Sequence, residues 1–205
     1  MNEIKWIFFD IGSTLVDESI AYRKRIEATI ANTDISYDEF YRKMVEISKY
    51  NQNGYHKALE AYGLTMVSWN SEDEFVYPQS EPCLRELSKK YKIGIIANQN
   101  FGSEERLRKI GLLKYIDLVV ASAEEGIAKP DLRIFQIALE RAECTPNEAA
   151  MVGDRLDNDI IPAKEIGMKT VWVRQGFGVF FSLHSEKEKP DHSVNELNEI
   201  LKIFM

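Results

Sequence analysis

The sequence predicts an α/β fold: a parallel sheet with helices on both faces, interrupted once by a helix-only insert. Three observations carry this. From Pro78 onward, short apolar runs alternate with helical segments, which argues parallel strands joined by helices. Two apolar runs, Ile4 to Phe9 and Met151-Val152, break off abruptly at carboxylates, Asp10 and Gly153-Asp154. Residues 16–77 carry helical patterns alone.

The elements follow in chain order. Residues 4–9 form a buried strand that ends in the turn Ile11-Gly12-Ser13-Thr14. Tyr22 to Ala31, Tyr37 to Tyr50 and Tyr55 to Tyr62 read as three helices rich in charge and aromatics. Ser36-Tyr37-Asp38-Glu39 forms a capping box for the second. Asn51-Gln52-Asn53-Gly54 and Gly63 punctuate the breaks. Hinges fall near Leu15–Asp17 and Tyr77–Ser80. Glu81 to Tyr91 is helical, with Ser80 as N-cap and Pro82 in the first turn. Then come a strand at Ile93–Ala97, a helix from Ser103 to Ile110 closed by Gly111, and a strand at Leu118–Ala121. A helix at Asp131–Glu143 and a strand at Ala150–Val152 follow. A helix at Asp159–Ile166 ended by Gly167 leads to a strand at Thr170–Val173. A short strand near His192–Val194 and a helix from Asn195 to Phe204 complete the chain.

A chain of 205 residues can bury one good core and carry an insertion. Apolar content of 44% and charged content of 29% are ordinary for a globular protein. The net charge of -7 argues against a general nucleic-acid or anionic-membrane surface, but leaves room for a phosphorylated substrate met by a local lysine and a metal. Cys83 and Cys144 are far apart and lack a metal-ligand pattern, so buried free thiols in a reducing cytosol are expected. No basic-then-apolar leader pattern opens the chain, and no apolar run approaches a membrane span. The expected setting is cytoplasmic, with no membrane and no nucleic-acid partner. The oligomeric state is not legible.

In an open α/β sheet, ligands bind at the carboxyl ends of the strands, so Asp10 is a candidate nucleophile or metal ligand there. Two later motifs accompany it in order: Ala128-Lys129-Pro130 and Gly153-Asp154-Arg155-Leu156-Asp157-Asn158-Asp159. Together they resemble the haloacid dehalogenase-like (HAD) superfamily of hydrolases, mostly phosphatases, over nearly the whole chain from Ile4 to Phe204. The resemblance implies a Rossmann-like three-layer core, residues 1–15 and 78–205, with the three motif strands side by side. It also implies a helical cap, residues 16–77, as in the C1-capped branch. Two polar positions depart from the family pattern. Gly12 stands where the first motif, Asp-x-Asp-x-Thr, has its second Asp, and Ala97, before Asn98, stands where the second has a Ser or Thr.

The resemblance also implies roles. Asp10 would be the nucleophile that forms an aspartyl phosphate, and a ligand to Mg²⁺. Gly12 would offer the metal its backbone carbonyl, beside its plainer role of permitting a tight turn. Thr14 would orient the Asp10 loop through its hydroxyl, close in meaning to a local side-chain to backbone hydrogen bond. Asn98 would hold a phosphoryl oxygen through its N–H and add a side-chain donor, or only fix the loop. Lys129 would neutralise charge between Asp10 and the phosphoryl group. Asp154 would be the second protein ligand to the metal, and Asp159 would bind the metal or its waters. Asp157 is read instead as the cap of the helix beginning near Asp159.

Arg155 and Arg174 are candidate substrate contacts by position alone. Phe177-Gly178-Val179-Phe180-Phe181 is the odd apolar segment outside a strand; of a lid, an oligomer contact or packing under the last helix, packing is favoured.

The leading expectation is a Mg²⁺-dependent phosphatase of a small phosphorylated metabolite. With Gly12 at the acid/base position, turnover is expected to be slow, to favour good leaving groups and to accumulate the aspartyl phosphate. If another residue supplies the acid/base, Glu18 and His56 are the first candidates. The alternatives are a dehalogenase, a phosphonatase using a lysine among Lys24, Lys43, Lys49 and Lys57, or a low-turnover homologue that binds a phospho-ligand or a protein.

Overall fold

The computed structural model describes residues 3–205. Its main sheet has six strands, all parallel, in the order β5-β4-β1-β6-β7-β8. These are β1 (Trp6–Phe9), β4 (Lys92–Ala97), β5 (Leu118–Ala121), β6 (Ala149–Gly153), β7 (Lys169–Val173) and β8 (His192–Val194). Strand β1 lies at the centre because it is apolar on both faces. Ile7 and Phe9 enter one core cluster with Ile93, Ile95, Leu84 and Leu87, and Phe8 enters the other with Ile96, Val120, Ile134 and Phe135. A strand buried on both faces reads as a continuous apolar run rather than an alternation.

The register sets the site. Phe9 lies level with Ile95 on one side and Val152 on the other, and the Asp10 N–H donates to the Val152 carbonyl at 2.9 Å. Asp10, Ala97 and Gly153 therefore leave the sheet at one edge. The chain runs outward from β1 to β4 and β5, then returns to β6 on its other side. The carboxyl ends of β1 and β6 flank that reversal, where open α/β sheets bind ligands.

Between β1 and the next core helix, the chain forms α1 (Ser19–Ile30), α2 (Tyr37–Ser48) and α3 (Gly54–Tyr62). Their apolar faces meet in a separate cluster of Ile26, Phe40, Met44, Tyr55, Ala58 and Leu59. Ser36 caps α2 by accepting from the Glu39 N–H, and Asn53 caps α3 by accepting from the His56 N–H. The insert enters and leaves through one antiparallel pair, β2 (Val16–Asp17) with β3 (Phe75–Val76), extended by Tyr77 N–H to Leu15 O at 3.1 Å. The two hinge segments expected from the sequence thus lie side by side. Two-residue strands carry no periodicity, and this pairing was not foreseen.

Other boundaries differ for local reasons. Helix α4 (Ser80–Leu87) follows Gln79, and Ser80 is its first residue rather than its cap. The Ser80 hydroxyl donates across the base of the insert to Leu15 O at 2.7 Å. The segment expected to be helical from Asp159 begins as a wide π turn, Leu156–Ile160, before α8 (Ile161–Glu165). Asp157 caps nothing; its carboxylate pairs with Arg155. The last helix is a 3₁₀ turn, Leu197–Ile200, running into α9 (Leu201–Phe204). Cys83 is buried as expected, while Cys144 is only half-buried.

The apolar segment after β7 also packs elsewhere than expected. Phe177 meets Tyr22 of α1 and Tyr41 of α2, with ring centroids 4.9 and 5.6 Å apart. Phe181 joins Leu156, Ile160 and Trp172. The segment joins the core to the helical insert and does not lie under α9. No helix among the described residues is long and apolar enough to cross a membrane.

Candidate active site

Strands β1, β4 and β6 deliver their terminal residues to one cavity of about 450 Å³ between the sheet edge and the helical insert. Asp10, Gly12, Ser13, Asn98, Lys129 and Asp154 line its floor. Tyr22, Arg25, His56 and Trp69 line it from the insert.

Lys129 organises the floor. It lies between α6 (Ser122–Glu125) and α7 (Leu132–Arg141), whose N-cap is Asp131. Its side chain is 2% exposed, and Nζ donates to Asp10 Oδ1 at 2.7 Å, Asp159 Oδ1 at 2.5 Å and Ile96 O at 2.8 Å. All three ammonium protons are spent. Burial alone would lower its pKa, but the Asp10 and Asp159 carboxylates outweigh that and hold Lys129 above the usual lysine range.

Asn98 fixes the lysine's backbone. Its Nδ2 donates to Lys129 O at 2.9 Å, and its Oδ1 accepts from Lys129 N–H at 2.7 Å. The amide is thus used as a brace, which is the loop-fixing reading of this residue. The π turn places Asp159. Its Oδ2 accepts from Arg155 N–H at 3.0 Å, so both carboxylate oxygens are engaged. Gly153 is required here, because a Cβ would lie 2.5 Å from the Asp159 Cγ.

Asp154 differs. It is 3% exposed, and among the described residues it has no ion-pair partner, whereas Lys129 serves Asp10 and Asp159. Burial, followed by the Asp159 and Asp10 charges, raises its pKa well above the usual carboxylate range. Asp10 is also raised, chiefly by burial and against the pull of Lys129.

Asp10, Asp154 and Asp159 each place one carboxylate oxygen within 4.8 Å of the others. When all three carboxylates are ionised, one ammonium leaves two negative charges unneutralised. The donor set is all oxygen, which fits a hard divalent cation such as Mg²⁺.

Thr14 does not behave as expected: its hydroxyl is buried without a hydrogen-bond partner among the described residues. The loop is held instead by Ser13, in the left-handed region at φ 53°, whose Oγ donates to Glu18 Oε2 at 2.8 Å. Burial raises the Glu18 carboxyl to about 7, against that hydrogen bond and with help from the Asp10 charge.

Of the two arginines named by position, Arg155 lines the cavity. Arg174 does not; it lies over the Trp172 ring at 5.2 Å. Sequence reasoning missed Arg25, stacked on Tyr55 at 4.1 Å and Trp69 at 5.3 Å at the cavity wall. An arginine amid the aromatics of the first helix was the available signal.

A model of haloacid dehalogenase-like hydrolases matches residues 4–167, which include all three motif segments. The chain belongs to the haloacid dehalogenase-like hydrolases. A glyceraldehyde 3-phosphate phosphatase of Pyrococcus furiosus is 32% identical over all of this chain and 94% of the relative. One of Pyrococcus abyssi is 34% identical over 84% of this chain and 82% of the relative. Among solved structures, the HAD-hydrolase YfnB of Bacillus subtilis, bound to magnesium and with interdomain movement, has a TM-score of 0.71. It is 17% identical over 99% of each chain. The chain is thus a HAD-fold enzyme with phosphatase relatives.

Proposed function

We propose that this hydrolase is a Mg²⁺-dependent phosphatase of a small phosphorylated metabolite, acting through Asp10. One observation carries the reading: Asp10 is held by Lys129 at the mouth of a carboxylate cluster whose charge calls for a divalent cation. When bound, Mg²⁺ supplies charge neutralisation to the transferring phosphoryl group. Asp10 and Asp154 would hold it, while Asp159 orients Lys129.

An Asp10 carboxylate oxygen attacks phosphorus and the ester oxygen leaves, giving an aspartyl phosphate. Water then attacks phosphorus, releasing phosphate and restoring the carboxylate. Lys129 would offset charge as the phosphoryl group arrives, and the backbone N–H of Asn98, which lines the cavity just after β4, is the proposed donor to one of its oxygens. The insert, residues 16–77, acts as a cap hinged on the β2–β3 pair, with Arg25 and Trp69 on its inner wall choosing the substrate.

The relatives' substrate makes a three-carbon sugar phosphate the first compound to test. The phosphonatase alternative is disfavoured because Lys24, Lys43, Lys49 and Lys57 are all absent from the cavity lining. The test is phosphate release from glyceraldehyde 3-phosphate and a panel of small phosphate esters, in Mg²⁺ and in EDTA. Wild-type protein should turn over in Mg²⁺ alone, and Asp10→Asn should be inactive. Equal release by Asp10→Asn would remove Asp10 as the nucleophile.

A further inference from the structure

We infer that Glu18 is the proton-transfer catalyst of this site, standing in space where the side chain of residue 12 would otherwise reach. The inference rests on the phosphatase reading and adds a catalytic residue to it.

Phosphoryl transfer to Asp10 leaves an oxygen that needs a proton, and the second half-reaction needs a group to take one from water. Gly12 has no side chain to give. A Cβ built on it would point straight into Glu18, 2.8 Å from Cδ and 2.9 Å from Oε2, with Oε1 nearer still. The Glu18 carboxylate therefore fills the volume beside Gly12, two residues along the loop from the nucleophile.

Its orientation is fixed. Ser13 Oγ donates to Oε2, so Oε1 is the oxygen left to work over the loop. Ser13 makes that bond from a left-handed backbone that non-glycine residues seldom adopt, a strain found mostly at functional sites. Gly176 allows it: a Cβ there would lie 2.6 Å from the Ser13 Cβ. The other acidic residues lining the cavity have different tasks. Asp10 attacks, Asp159 holds Lys129, and Asp154 lies with them in the cluster that calls for a cation. Glu18 lines the same cavity with no ion-pair partner among the described residues.

The step balances. As the Asp10 oxygen bonds to phosphorus and the P–O ester bond breaks, the Glu18 carboxylic acid gives its proton to the departing oxygen, which leaves as the alcohol. The Glu18 carboxylate then takes a proton from water as that water's oxygen bonds to phosphorus. The P–O bond to Asp10 breaks, and Glu18 is again the acid. Glu18 lies where β2 passes into α1, so the catalyst enters the site with the hinge of the insert.

The experiment compares wild type, Glu18→Gln and the double variant Gly12→Asp/Glu18→Gly in Mg²⁺. Glyceraldehyde 3-phosphate supplies the poor leaving group and p-nitrophenyl phosphate the good one. Glu18→Gln should lose ~10²–10⁴-fold in kcat on the sugar phosphate, the usual worth of general acid–base catalysis. On p-nitrophenyl phosphate it should give a burst of nitrophenol equal to the enzyme, then slow release, with a phosphate adduct on Asp10 seen by mass spectrometry. The double variant returns a carboxylate to position 12 in the vacated space, and should recover the sugar phosphate rate by at least tenfold over Glu18→Gln.

Near-wild-type turnover of the sugar phosphate by Glu18→Gln, with no burst, overturns the assignment. Loss of turnover in His56→Asn and not in Glu18→Gln overturns it in favour of the insert's histidine. An active wild type with inactive Asp10→Asn keeps the phosphatase reading whatever Glu18→Gln does. A wild type inactive on every ester removes both.

Discussion

Replacing Asp154 with Asn should stabilise the metal-free protein while removing its response to Mg²⁺. Asp154 is 3% exposed and shares its surroundings with two further carboxylates, and the ammonium beside them is fully engaged by Asp10, Asp159 and the Ile96 carbonyl. A charge held at low exposure beside two like charges and without an ion-pair partner costs on the order of 1–3 kcal/mol. Asparagine keeps the shape and removes the charge. For a chain of this size each kcal/mol moves the midpoint by about 2–4 °C, so Asp154→Asn should melt about 2–12 °C above wild type in EDTA.

Saturating Mg²⁺ should reverse the order. At a hundred times its dissociation constant, a ligand stabilises the folded protein by about 2.7 kcal/mol, and the variant forgoes this. The pH dependence follows from the sign of the shift. The folded-state pKa of Asp154 lies above its unfolded value, so the folded chain holds more protons between the two. Stability of metal-free wild type should therefore rise as pH falls through the folded value, and the advantage of the variant should shrink over the same range. Melts by differential scanning calorimetry at several pH values, in EDTA and in Mg²⁺, measure all of this. A variant less stable than wild type in EDTA, or one with the full Mg²⁺ shift, refutes the charge argument.

Three further outcomes are expected. Gly94→Ala should lower stability by about 1–3 kcal/mol, because its Cβ would enter the Phe8 ring in the next strand; a urea midpoint at or above wild type would contradict this. Phe177→Ala removes ring contacts to Tyr22 and Tyr41, each pair worth ~0.5–1.5 kcal/mol, and should speed amide exchange through α1; unchanged exchange there would show that the segment does not anchor the insert. Glu148, held down to about 2 by Lys5 and Thr145, should contribute stability that is present above its ordinary value of 4.5 and lost as pH falls towards 2. Its carboxyl resonance should titrate at higher pH in Lys5→Met than in wild type, with the Thr145 hydrogen bonds keeping it below the ordinary value, and an unmoved midpoint there would assign the shift elsewhere.

The sheet was legible because its signals are local. An apolar run followed by Asp10 declares both a strand and where it ends, and Ala149–Gly153 repeats the pattern before Asp154. Leu118–Ala121 and His192–Val194 coincide with their sequence boundaries for the same reason. Lys129 was legible through its neighbours, a lysine pinned between a turn and the helix that Asp131 caps. Two of the residues that were misread depend on partners distant in sequence. Ser80 looks like an N-cap until Leu15 O is seen opposite its hydroxyl. Phe177 looks like core packing until Tyr22 and Tyr41 are brought to it. Asp157 looks like a cap, but its carboxylate is taken by Arg155, two residues earlier at the start of the π turn.

Gly12 and Glu18 mark the limit of such reading. From the sequence, a glycine in place of a carboxylate reads as a loss, and a glutamate six residues later is one of two candidates for a substitute, with nothing to show that it reaches that glycine. What joins them is a positive φ at Ser13, an antiparallel pair of two-residue strands and the room left by Gly176. None of these has a periodicity, and none is visible without the others. The same geometry changes the meaning of a simple rescue experiment. Gly12→Asp alone places its Cβ within van der Waals overlap of the Glu18 carboxylate and sets a like charge against it, so it should impair the protein rather than repair it. The two positions compete for one volume, and a carboxylate is gained at residue 12 only when the one at residue 18 is given up.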